Sequence, residues 1–76
     1  MIREFDRVVL TAAVPSEGLV SGDVGAVVHV YEDGKAFEVE FMTLDGQTAA
    51  VATVEASSVR PATSSEITHA REFTAR

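Results

Sequence analysis

Hydrophobic and polar positions alternate with period two along much of the chain up to Pro61, the pattern of strands that bury one face. In FDRVVLT, residues 5–11, Val8 and Leu10 fall on one face and Arg7 and Val9 on the other. The segment from Thr11 to Ser21 breaks this pattern with Pro15, Ser16 and Gly18 and reads as a loop. From Val24 to Tyr31 β-branched residues dominate and the alternation is imperfect. This predicts a central strand that is either covered on both faces or interrupted by a bulge near Gly25. Asp33-Gly34 and Asp45-Gly46 are hairpin signals, because glycine accepts the positive φ of a tight turn. Between them Phe37, Val39 and Phe41 alternate with Glu38 and Glu40, giving one apolar face and one anionic face. Gln47 to Val54 follows as the next strand, and its small residues Ala49, Ala50 and Ala52 permit close approach of neighbours. Glu55-Ala56-Ser57 predicts a single helical turn before a short closing strand, Ser58 to Arg60, which Pro61 ends.

Five short strands with one long loop after the first predict an all-β fold, a small five-stranded SH3-like barrel over residues 1–61. The expected core is Val8, Leu10, Val27, Val30, Phe37, Val39, Phe41, Val51, Val54 and Val59. Residues 62–76 are different in kind. Thr63-Ser64-Ser65-Glu66 matches a capping box and predicts a short amphipathic C-terminal helix with Ile67, Ala70 and Phe73 along one side. Such a helix is unstable alone and must pack on the barrel, pack on a partner, or fray.

GLVSGDVGAVVHVY, residues 18–31, spaces its glycines in a way that invites comparison with a phosphate-cradling loop. Such loops lead into a helix and keep a cation nearby. Here the glycines lead into a valine-rich strand, residues 11–34 contain no Lys or Arg, and Asp23 puts negative charge where a phosphate would sit. Gly18 and Gly22 therefore read as loop and turn residues, and Gly25 as a bulge or a point of close backbone contact.

The blocks GDVGAVVHVY, YEDG, FEVEF and TLDG together make the stretch from Ile2 to Pro61 resemble the DUF4926 family of small bacterial proteins. The resemblance implies an SH3-like barrel in a bacterial, intracellular setting and supplies no catalytic residues. Residues 62–76 lie outside it. The pattern DRVVL…GDVGAVVHV is also similar to KOW-type barrels and to the barrel of nitrile hydratase β subunits. RNA-binding KOW modules are usually basic, and this chain is not.

Its 76 residues carry a formal net charge of −6. The whole excess lies in residues 1–61, where ten acidic side chains face only Arg3, Arg7, Lys35 and Arg60. An acidic field repels phosphate backbones and favours basic partners. The chain has no cysteine, which suits a cytoplasmic location, and no run approaches the about 18 apolar residues of a membrane span.

His29 and His69 lie on separate elements without metal-ligand spacing, and no serine has a base placed by local sequence. No catalysis, cofactor or metal is expected. Tyr31, Glu38, Glu40 and Phe73 are the candidate binding residues: two aromatics of the kind that anchor interfaces and two carboxylates sharing one strand face. The expected function is a non-enzymatic interaction module that binds a basic protein partner, in the manner of an antitoxin or immunity protein. A KOW-like nucleic-acid-binding barrel is the alternative. Homo-oligomers could form through strand edges or the closing helix.

Overall fold

The computed structural model describes residues 1–74. The strands are β1 (Arg7–Leu10), β2 (Val24–Tyr31), β3 (Ala36–Met42), β4 (Thr48–Glu55) and β5 (Val59–Pro61), with 3₁₀ turns at Pro15–Glu17, Glu32–Gly34 and Ala56–Ser58. They form one antiparallel sheet in the order β4-β3-β2-β1-β5. No helix among the described residues is long and apolar enough to cross a membrane.

The expected closed barrel is not formed: no ladder joins β5 to β4, and these two strands remain the edges of an open sheet. β5 has only three residues and ends in Pro61, which has no amide to donate to a ladder. The sheet is nevertheless strongly curved. Neighbouring strands lie about 4.8 Å apart, so Val59 of β5 and Val54 of β4 would be too distant to share a core if the sheet were flat. Both belong to one buried cluster with Val8, Leu10, Val27, Phe37, Val39 and Phe41.

Two features of this core correct the sequence expectation. Val51 is 44% exposed, whereas Ala50 and Ala52 are buried. The register gives the reason: Phe41 pairs with Ala50, Val39 with Ala52 and Phe37 with Val54, so small residues on β4 make room for larger ones on β3. Strict period two then sends Val51 outward. The second feature is Leu19, a loop residue buried in the cluster. A bridge between Val14 and Leu19, together with the left-handed Gly18, folds the β1–β2 loop back so that Leu19 enters the core.

Val30 is only partly buried against the cluster. The bulge in β2 falls at Val28, where the register shifts between Val27 and His29, and it turns both Val28 and His29 toward solvent. Gly25 is instead the point of close contact. A Cβ there would lie 2.6 Å from Val39 Cγ1 and 2.8 Å from the Glu40 carbonyl oxygen.

The expected C-terminal helix is absent among the described residues. Residues 62–74 form an irregular strap with one turn, in which the Glu66 amide donates to the Thr63 carbonyl. Half of the capping box is present, with the Thr63 amide donating to Glu66 Oε1 at 2.7 Å, but no helix propagates from it. Glu66 is also engaged by the sheet. Arg60 grips its carboxylate with two hydrogen bonds, of 3.0 and 2.6 Å. Further along, Arg71 and Phe73 both contact the body of the protein, and two residues apart on a helix they would point in nearly opposite directions. Ile67, expected on the buried side, is 94% exposed.

The Arg60 hydrogen bonds, followed by that of the Thr63 amide, pull the Glu66 carboxyl from its ordinary 4.5 down to about 2. A depressed carboxyl contributes stability that is complete above the unfolded value and disappears as pH falls through the folded one. An NMR titration of the Glu66 side chain should therefore show a midpoint near 2, moving back toward 4.5 in Arg60→Ala. A wild-type midpoint near 4.5 would show that the pair does not form.

Candidate functional site

The sheet divides the candidate residues by face. On β3, Phe37, Val39 and Phe41 point into the core, which leaves Glu38 and Glu40 together on the outer face, both half-buried. His29 pairs with Glu38 across β2 and β3, and Glu40 lies between Ala26 and Val51. The Tyr31 hydroxyl donates to Glu38 Oε1, and the Tyr31 ring meets the His29 ring edge-on at 4.4 Å between centroids. Donating this hydrogen bond to Glu38 raises the phenol of Tyr31 above its ordinary value, with burial and the carboxylate charge adding to the effect. Glu40 accepts a hydrogen bond from the Thr48 hydroxyl at 2.6 Å. Tyr31 on β2 and Glu38 and Glu40 on β3 thus share one outer strip, in which both carboxylates are fixed by neutral hydroxyl donors.

Among the described residues the carboxylates within ion-pair distance of a cation or histidine are Glu4, Asp23 and Glu66. Glu38 and Glu40 are not among them. Arg60 is taken by Glu66, Lys35 follows the β2–β3 turn, and Arg7 and Arg60 line one groove of about 530 Å³ with the strap.

Phe73 lies apart from Tyr31. Its half-buried ring packs on the core cluster, and it lines a groove of about 480 Å³ whose other walls include Glu40, Met42 and Ala49. Glu40 therefore links the outer strip to this groove.

The glycine-rich segment does not offer an anion cradle. The Gly22 amide donates to the Leu10 carbonyl at 2.8 Å and the Asp23 amide to the Val20 carbonyl at 3.2 Å. Val24, Gly25 and Ala26 are paired with β1.

Sequence reasoning missed the polar node beside this segment. Asp23 is only 9% exposed, and its carboxylate accepts from Arg71 Nε at 2.8 Å, from the Arg71 terminal nitrogen at 2.5 Å and from the Val20 amide at 2.9 Å. The His69 ring nitrogen lies 3.4 Å from the same carboxylate. Burial pushes the Asp23 carboxyl upward, but the Arg71 and Val20 hydrogen bonds and the charges of Arg71 and His69 outweigh it and hold the group below its ordinary value. One signal in the sequence pointed here: the loop lacks any Lys or Arg of its own to balance Asp23. No group of three or more metal-ligating side chains occurs among the described residues.

Fold and surface together define a small all-β protein built on one five-stranded antiparallel sheet. Residues 4–61 match the family model described as Domain of unknown function (DUF4926), and the chain belongs to this family. No curated protein and no solved structure matches the chain.

Proposed function

We propose that this protein is a non-enzymatic interaction module of the bacterial cytoplasm that binds a basic protein partner through the outer face of β2, β3 and β4. The observation that carries the reading is the position of Glu38 and Glu40. They sit side by side on a regular strand, half-buried, with no cation of the described chain within ion-pair distance. Carboxylates already partly desolvated and fixed by Tyr31 and Thr48 need little further ordering to receive lysine or arginine side chains. Val28 and Val51, both exposed on the same sheet, supply apolar contact area around them. Steering by the net charge of −6 favours the encounter with a cationic surface.

The long β1–β2 loop, the 3₁₀ turn before β5 and the curvature of the sheet support an SH3-like reading of the fold. Tight capture of one basic protein by a small acidic module is the behaviour of antitoxins and immunity proteins, and we place this chain in that functional class. The unpaired edge of β4 offers a route to homodimers.

The test is co-purification from the native host at low salt. The wild-type chain should retain a stoichiometric basic protein that elutes as salt is raised, and Glu38→Lys/Glu40→Lys should lose it. Retention of nucleic acid in place of a protein, or of no stoichiometric partner, would defeat the proposal.

A further inference from the structure

From His69 onward the strap contacts the body through alternate residues. His69 lies over Gly22, where a Cβ would come within 3.2 Å of the ring, Arg71 is held by Asp23, and Phe73 packs on the core cluster. The spacing is that of an extended peptide lying on a receptor, with alternate side chains turned inward. The receptor side of the Arg71 contact is fully built. Both Asp23 oxygens accept from the guanidinium, and the Gly18 carbonyl accepts a further bond from Arg71 at 3.0 Å. A two-pronged carboxylate with a carbonyl beside it matches the planar fork of arginine and does not match the single ammonium of lysine. Gly18, Gly22 and Asp23 lie inside the family-matched residues 4–61, whereas His69, Arg71 and Phe73 lie outside them.

We infer that the body carries a recognition groove for an extended basic segment with arginine two residues before an aromatic, and that residues 69–73 occupy it as a ligand in cis. The occupant from outside is a partner segment of the same chemistry, which displaces the strap. Buried Asp23 requires a cation on that segment, and the resident contacts specify the arginine-x-aromatic spacing. This inference adds a second surface to the basic-partner reading; Glu40 lines the Phe73 end of the groove, but the defining contacts are those of Gly18, Gly22 and Asp23, so either can fail without the other.

A ligand tethered in cis competes at an effective concentration in the millimolar range, so the intact strap should exclude a free peptide. The probe is a fluorescein-labelled peptide with the sequence of residues 67–74, ITHAREFT, titrated into the full chain and followed by anisotropy. Full-length protein carrying Arg71→Ala and Phe73→Ala should bind it saturably and at least about tenfold more tightly than wild type. The same peptide with its arginine replaced by alanine should not bind that variant. In wild-type protein, a large excess of the unaltered peptide should shift the NMR signals of Gly22 and Asp23. Equal binding by wild type and variant, equal binding of the alanine peptide, or no binding to a variant that retains the wild-type amide dispersion would each overturn the inference.

Discussion

Phe41→Ala is expected to lower the stability by about 3–5 kcal/mol, the usual cost of emptying a buried phenylalanine site. A chain of this size has about 4–11 kcal/mol in total, so the variant should lie close to unfolding. The site has little ability to collapse. Phe41 is 3% exposed, faces Ala50 across the β3–β4 ladder, and lies where a Cβ on Gly25 would meet its ring at 2.9 Å. Neither alanine nor glycine can reach into the vacated volume. Urea titration should show a lower midpoint with an unchanged slope. A loss below about 1 kcal/mol would mean that Phe41 is not part of the shared core.

Gly25→Ala should cost about 1–3 kcal/mol or more, although alanine is the smallest possible addition. The backbone at Gly25 does not have a left-handed φ, so the cost is steric. The new methyl would press on Val39 Cγ1 at 2.6 Å and the Glu40 carbonyl at 2.8 Å. Val39 is fully buried and the carbonyl belongs to a paired strand, so neither yields without disturbing the β2–β3 ladder. Gly46→Ala provides the contrast. Nothing lies within 4 Å of its added Cβ, and the penalty there arises only from the positive φ of 88°. Thermal melts of the two variants should therefore differ, with Gly25→Ala the less stable. The reverse order would contradict the close approach at Gly25.

The sheet was largely legible because its signals are local. Asp33-Gly34 and Asp45-Gly46 mark turns, and the alternation of β3 separates Phe37, Val39 and Phe41 from Glu38 and Glu40 without reference to any distant residue. What escaped depends on how segments pair and fold back on one another. Leu19 is a core residue only because the loop folds back at Gly18, and Val51 is excluded only because Ala50 and Ala52 must face Val39 and Phe41. The strap is the clearest instance. Ile67, Ala70 and Phe73 fit a helical period, while His69, Arg71 and Phe73 fit an extended one, and local sequence does not choose between them. The extended course is held by Asp23, 48 positions away from Arg71, whose buried carboxylate pairs with the guanidinium. Within the candidate site, the neighbourhood of Glu38 and Glu40 could be read from strand periodicity. The Tyr31 hydrogen bond depends on the β2–β3 register, which the Val28 bulge shifts.

The acidic outer face is tested most directly by mapping a cationic ligand on it at low salt. Adding an arginine- and lysine-rich peptide to the ¹⁵N-labelled full chain should shift the amide signals of Tyr31, Glu38, Glu40 and Val51 together. Glu38→Lys/Glu40→Lys should abolish those shifts while any response at Gly22 and Asp23 persists. Shifts spread evenly over every acidic position, or an unchanged response in the double variant, would contradict the account.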